Sequence, residues 1–397
     1  MFRRKAAAAV ALALSAALLS SCWDKTELNE LALVSMIGLD RDPESGIYTI
    51  RLQVINPTSG STARGTPGGE QSPVYTYEAN VRTLAEADLK FYHLIPRKLF
   101  LHHAKAVLIS GRAARQGMRD FINFSELQPS ARTSVPLFVV DGSIGEVMRT
   151  YTPLERTPAE SLSSRIELLA DYALQSGRDV EVRDVIERSE RDEWIVLPMV
   201  AVTPKTGNLD SRDVDASIDA NRNQLRLNGG AVIRNYRMVG RLDDNELVLY
   251  HLLNGDKGTF VRRVPFRNGH VTAVLLSRGT KRRLDWENGR PVVRIRLSLE
   301  LSTLAMNEYH PRTLEDIRAL EKAVSESITD ELDAFLDKTR AKGWDLAGIR
   351  SLLGRKAPKL PNPDRAAADA KIRFEIKTLF TGMGNLSRLY EGSGGTS

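Results

Sequence analysis

Along this chain the clearest pattern is a strict alternation. Val293, Ile295, Leu297, Leu299 and Leu301 are separated by Arg294, Arg296, Ser298 and Glu300, with Ser302 following. A period of two puts the apolar side chains on one face, which predicts a half-buried strand. Tyr48, Ile50, Leu52 and Val54 alternate with Thr49, Arg51 and Gln53 in the same way, and the apolar stretches Leu31–Val34 and Met36–Gly38 precede them. A hairpin closed by Asp40 to Gly46 is expected there. Ile372, Phe374, Ile376 and Phe380 predict a final strand ending before Gly382, and Val74 to Ala79 a short one. Apolar runs at Lys98 to Ser110, Val135 to Val140, Trp194 to Val202 and Val271 to Leu276 predict further strands. Leu227 to Arg234 with Met238 to Asp243 predicts another hairpin.

Elsewhere the period changes to three and four. Ile317, Leu320, Val324, Ile328, Leu332 and Phe335 mark one face of a long helix, capped by Thr313 and Asp316 and reaching about Lys342. Thr83 to Glu86 reads as a capping box, with Leu84, Ala87, Phe91 and Leu94 on one face before Pro96. Thr157 to Glu160 is a second box with proline at the first helical position. Leu162, Ile166, Leu169 and Ala173 follow it, and Gly177 is the expected stop. Gly111 to Phe124, Gly142 to Met148 and Trp344 to Leu353 are also expected to be helical. Hairpins followed by long helices argue for an α+β fold, with mixed or antiparallel sheets covered by helices, over a doubly wound sheet. Residues 205–228 are polar throughout and are expected to link two principal domains, 22–204 and 229–386, the first open to subdivision. Asn56 to Ser72, rich in Gly, Ser, Thr and Pro, is expected to be a mobile loop, and 387–397 a flexible tail.

The first 24 residues stand apart. Arg3, Arg4 and Lys5 precede an apolar run from Ala6 to Leu19, and Leu19-Ser20-Ser21-Cys22 closes it with small residues and a cysteine. A short apolar run behind a basic start is an export signal, too short to span a bilayer, which takes roughly 20 apolar residues. The pattern resembles a bacterial lipobox, so residues 1–21 are expected to be a signal peptide. Cys22 is then expected to carry a diacylglyceryl group and to be the one lipid attachment site. Two acyl chains hold a protein on a membrane where one is marginal. Cys22 is the only cysteine in 397 residues, which leaves no intramolecular disulfide to form.

Composition is that of a globular protein, 42% hydrophobic and 27% charged. The formal net charge of +6 falls to about +3 once the three basic residues of the signal depart. After Cys22 no apolar run approaches 18 residues, so no transmembrane helix is expected. No nucleophile elbow, HExxH, P-loop or GxGxxG is present, and the six histidines and one cysteine form no metal-ligand cluster. No enzyme, cofactor or metal is therefore expected. Asp40 to Glu44 faintly resembles a calcium loop, but Ser45 stands where glycine is required, and an acidic turn is the simpler reading. His102 and His103, read as strand neighbours, point to opposite faces and share no metal. The basic runs Arg262-Arg263 and Lys281-Arg282-Arg283 lack interleaved aromatics, which argues against nucleic acid.

Cys22-Trp23-Asp24, Glu27-Leu28-Asn29 and Ile37-Gly38-Leu39-Asp40 resemble the start of the Ger(x)C family, the C-subunit lipoproteins of bacterial spore germinant receptors. The likeness continues through Leu99-Phe100 and His103, with His102 where the family tends to have glycine, and through Trp194 to Val202, the hairpin at 227–243 and the last strand before Gly382. It weakens at Glu126 to Arg132 and at Trp344-Asp345-Leu346. The resemblance implies a lipid-anchored subunit on the outer face of the spore inner membrane. It implies assembly with integral membrane subunits of the A and B types and a role in nutrient-triggered germination. The alternative is a solute-binding lipoprotein that delivers a nutrient to a transporter. Such proteins show two lobes of repeated strand–helix alternation, a pattern not found here.

Overall fold

The computed structural model describes residues 27–57, 72–128, 131–150, 152, 154–174, 180–203, 224–307 and 313–382. Cys22, most of the Asn56–Ser72 loop, 204–223 and the tail lie outside them. The larger of two sheets takes β1 (Leu31–Arg41), β2 (Tyr48–Ile55), β3 (Val74–Val81), β4 (Lys98–Phe100), β5 (Ala106–Ser110), β6 (Leu137–Val140), β7 (Ile195–Thr203), β8 (Gln224–Arg234) and β9 (Arg237–Leu242). Their order is β3-β2-β1-β5-β6-β7-β8-β9, with β4 beside the start of β1. The central strands β1, β5, β6 and β7 run parallel and the flanking pairs antiparallel. The smaller sheet is β10 (Gly258–Phe266), β11 (Gly269–Glu287), β12 (Arg290–Asn307) and β13 (Lys371–Gly382), with β13 parallel to β12. Helices α1 (Ala87–Leu94), α2 (Gly111–Gln116), α3 (Arg119–Leu127), α4 (Ile144–Arg149), α5 (Pro158–Tyr172) and α6 (Val182–Glu190) belong to the first half. Helices α7 (Asp244–Asn254), α8 (Leu314–Ala341), α9 (Ile349–Lys356) and α10 (Pro363–Asp369) belong to the second. The fold is α+β with two mixed sheets, as the periodicity predicts.

Burial follows the patterns. Val293, Ile295, Leu297, Leu299 and Leu301 are each at most 1% exposed, and Leu320, Val324, Ile328 and Leu332 of α8 pack in the same cluster. Each such side chain contributes roughly 1.5–3 kcal/mol on burial. The helix starts where expected: the Thr313 hydroxyl accepts from the Asp316 N–H and the Asp316 carboxylate from the Thr313 N–H, both at 3.1 Å. The nine-stranded sheet has a core on each face. Phe91, Met118, Ile122 and Val185 cover one, and Ile144, Met148, Leu162 and Ile166 the other.

Several expectations need correction. Gln224 to Asn228, read as the end of a polar linker, form the first part of β8, antiparallel to Val200–Thr203. The hairpin β8–β9 thus extends the first sheet, while α7, which follows it, packs its apolar face into the second core. His102 and His103 lie in a 3-10 turn, Leu101–His103, and in no strand. Both β4 and β5 pair along one edge of β1, with Leu31–Leu33 and Met36–Leu39 respectively, and the chain must step between the two registers. Gln53, a polar position of the β2 alternation, is fully buried and donates to the Met148 carbonyl at 2.7 Å. Helix α5 ends at Tyr172, ahead of Gly177, because Ala173 is already extended.

Candidate functional site

Helix α6 carries mostly charged residues and is anchored by Val182 and Val185. Its N-cap is Glu181, in a capping box with Asp184, a variant that a search for Ser or Thr misses. It ends in a turn where the Glu193 N–H donates to the Arg188 carbonyl at 2.8 Å and Asp192 takes φ of 53°. Aspartate tolerates this left-handed position better than most residues. The turn aims the Asp192 carboxylate away from its own helix, at guanidiniums from two other elements. Arg234, the last residue of β8, meets it at 2.6 Å and also donates to the Asp192 carbonyl. Arg350 of α9 reaches the same carboxylate oxygen.

Arg350 is itself well placed. The Asp345 carboxylate accepts the N–H groups of Ile349 and Arg350, each at 2.8 Å, which satisfies two of the orphan donors that open α9. Arg350 Nε also bonds Asp364 at 2.5 Å, and the Ser351 hydroxyl donates to Glu193 at 2.8 Å. Beside this clasp the Arg234 guanidinium stacks over Trp194 at 5.0 Å, and Trp194 lies 6.5 Å from Trp344. Trp344 presses on β9 so closely that a Cβ on Gly240 would stand 2.2 Å from its ring. Two sheets, three helices and a pair of tryptophans therefore meet at one place.

The clasp borders a polar cleft of about 610 Å³. Arginines 188, 191, 234, 282, 350 and 355 line it, opposed by Asp184, Glu187, Asp192, Glu193 and Asp345. Arg282 donates to the Leu253 carbonyl at the end of α7, where a cation complements the helix dipole. Burial pushes its pKa down, opposed by the Asp345 charge. The cleft lining contains no histidine or cysteine, and its hydroxyl, Ser351, is committed to Glu193. Its chemistry is that of a fastening.

Of the residues singled out in the sequence, Cys22 lies outside the described residues. Arg262 sits in the core-facing phase of β10 and bonds Glu331 of α8 at 2.9 Å. Arg283 bonds Asp285 at 2.9 Å. These basic runs are largely spent on internal pairs. Asp42 accepts from the Ser45 hydroxyl at 2.6 Å and Asp40 pairs with Arg112, an acidic turn satisfied by its own surroundings. No group of three metal-ligating side chains occurs among the described residues. Buried His251 shares a 2.6 Å bond with Asp256, and no hydroxyl or thiol meets its Nε2 among the described residues.

Two family models cover the chain. Residues 24–202 match the spore germination protein N-terminal domain and 228–382 the spore germination B3/GerAC-like C-terminal domain. The chain belongs to the GerAC-like family of spore germination proteins. Similar proteins include spore germination protein KC of Bacillus subtilis, 26% identical over 90% of this chain and 89% of that protein. Another is spore germination protein GerQC of Bacillus cereus, 21% identical over 78% of this chain and 82% of its own length. The crystal structure of the GerBC protein shares the fold, with a TM-score of 0.54 at 14% identity, covering 87% of this chain and 96% of that one. The second family segment begins inside β8, so a GerAC-type C-terminal domain here lends its opening hairpin to the sheet of the N-terminal one. No helix among the described residues is long and apolar enough to cross a membrane.

Proposed function

We propose that this chain is the lipid-anchored C subunit of a spore germinant receptor complex, needed for nutrient-triggered germination. The observation that carries the reading is the pair of family matches, which together span 24–202 and 228–382. Cys22, at the end of the lipobox, holds the diacylglyceryl group, and the folded part stands on the outer face of the spore inner membrane. The subunit acts by assembling with integral membrane subunits of the A and B types, without catalysing a reaction. The clasp supports this role: its charged groups are consumed in fixing two sheets against each other, and a rigid body suits docking. A tether raises the local concentration of the body near any partner in the same membrane, so a weak interface stays occupied.

The test is deletion of the gene followed by a germination assay with nutrients, with recovery of this subunit from gently solubilised spore membranes. Loss of the nutrient response and co-recovery of two integral subunits are expected. A subunit recovered alone, whose body binds a nutrient tightly by calorimetry, would establish the solute-delivery alternative in its place.

A further inference from the structure

Between Asp88 and Asp120 the chain contains no acidic residue, while Lys90, Arg97, Lys98, Lys105, Arg112, Arg115 and Arg119 all fall there. The fold gathers Arg97, Lys98 and Lys105 beside the start of β1, with Lys90 further back on α1. Helix α1 crosses the sheet face from the end of β3 and delivers Leu94 to Lys98 beside the first residue of β1, where Leu31 pairs with Lys98. The Lys105 N–H donates to the Ser35 carbonyl nearby. Lys90, Arg97, Lys98 and Lys105 are exposed; Lys90 faces the Glu86 charge one helical turn away, and Arg97, Lys98 and Lys105 form no ion pair among the described residues. Apolar groups stand among them: Leu89 is 68% exposed, Tyr92 51% and Leu94 48%, with Tyr75 of β3 at 47%. Glu27 and Glu30 stand at the same end, and α1 carries Asp88, whose carboxylate accepts from Gln128 at 2.7 Å.

This end is also the tethered one. Glu27 lies five residues after Cys22, a span of at most about 18 Å. A lipid on Cys22 therefore keeps the start of β1, and the basic, tyrosine- and leucine-bearing surface beside it, within reach of the bilayer. We propose that α1 and the turn from Leu94 to Lys98 form a membrane-contacting face that rests on anionic lipid headgroups. Arg97, Lys98 and Lys105 meet phosphates, while Tyr92 and Leu94 enter the interfacial layer. Two consequences follow. The body is held in one orientation, and its opposite end points outward. The inference rests on the Cys22 tether proposed above.

The experiment uses the full chain made with its lipid. Leu94→Cys and, as a control on the other sheet, Leu379→Cys each supply the only free thiol, since the Cys22 sulfur is blocked as the diacylglyceryl thioether. Leu379 is 54% exposed on β13. Each variant is labelled with a polarity-sensitive dye and reconstituted in phosphatidylcholine vesicles with and without roughly a third of phosphatidylglycerol. A lipid-soluble quencher is expected to act several-fold more strongly at position 94 than at 379, and only with the anionic lipid. Arg97→Glu with Lys98→Glu is expected to lower the contacting fraction more than tenfold, at about fivefold per basic residue, and high salt to do the same. Equal quenching at the two positions overturns the proposal. So does protection of position 94 that appears only when integral membrane subunits are added, which would make the surface a protein interface. Mass spectrometry of the N-terminal peptide separates the two readings: an unmodified Cys22 removes the tether itself and this face with it. A lipidated Cys22 with an unquenched label removes the face alone.

Discussion

Arg350 and Arg97 are the same residue type on the same protein and do opposite things. Arg350 lies in the clasp, where Asp192 and Asp364 neutralise it, Asp345 fixes its backbone, and Arg234 approaches the same carboxylate from β8. Arg97 lies beside the start of β1, exposed, in a stretch that contains no carboxylate from 89 to 119. The clasp spends its charge internally and gains a fixed geometry. Beside the start of β1, Arg97 and Lys98 form no ion pair among the described residues, and their charge faces solvent. What separates them is the set of carboxylates the fold brings within 4 Å, and no reading of basic runs along the chain supplies that. Arg262 and Arg282, both in conspicuous runs, are held by Glu331 and by the end of α7.

The largest effect should come where the clasp has no slack. A side chain at position 240 would overlap Trp344, which packs in the second core between Lys342 and Trp194. Gly240→Val should lower stability by about 2–3 kcal/mol, as overpacking does. Urea unfolding followed by tryptophan fluorescence would measure it, and the tryptophan signal should change because Trp344 is the residue displaced. Leu94→Ser, beside the start of β1, should shift the same curve by less than about 0.5 kcal/mol. Equal losses at the two sites would dissolve the distinction between them.

Next comes the carboxylate that both clasp arginines share. Asp192→Ala leaves Arg234 without its carboxylate and Arg350 with Asp364 alone. The site is part-exposed, so solvent relieves some of this, and a loss of about 1–2 kcal/mol is expected. A double-mutant cycle with Arg350→Ala should show a coupling of about 1 kcal/mol, since the two groups touch. Arg97→Ala should be additive with Asp192→Ala.

The sequence made some of this plain and concealed the rest for physical reasons. The strand of β12 and the helix α8 were legible because one periodicity, one cap and one buried face agree over many residues. Strand β10 was not, because Arg262 occupies a position that alternation reserves for an apolar side chain, and Pro265 sits on an edge strand where a missing N–H costs nothing. Helix α6 was missed because it buries only Val182, Val185 and Ser189. The polar residues at 224–228 read as linker because β8 begins where only Leu225 is deeply buried. The clasp was illegible for a further reason: Asp192, Arg234 and Arg350 are far apart in the chain, and a long-range ion pair leaves no local pattern. Trp344-Asp345-Leu346 is only a partial match to the family pattern, yet Trp344 packs against Gly240 and Asp345 holds the first N–H groups of α9.

The smallest effect should come from a third cation, Arg112, which has a partner but sits at the surface. It lies in the same acid-free stretch as Arg97, yet the fold brings it to Asp40 at the far end of β1. Asp40 also accepts from the Ser110 hydroxyl at 2.5 Å, and the Ser110 side chain accepts the Ala113 N–H that opens α2. Burial of Asp40 opposes its ionisation, but the bonds from Arg112 and Ser110 and the Arg112 charge outweigh it, so its pKa lies below the usual value. A carboxylate depressed in the folded state contributes stability above its unfolded pKa of about 3.9 and loses it as pH falls through the lower folded value. Arg112→Met should therefore cost less than about 1 kcal/mol near neutrality, given that Arg112 is half exposed. It should also flatten the acid limb of the stability curve below about pH 4, where the wild type falls. Arg97→Met, with no carboxylate to lose, should leave both the neutral stability and the acid limb unchanged. Unfolding midpoints measured across that range for the three proteins would check this, and an acid limb altered equally by both substitutions would show that pairing is not what separates the two ends of the strand.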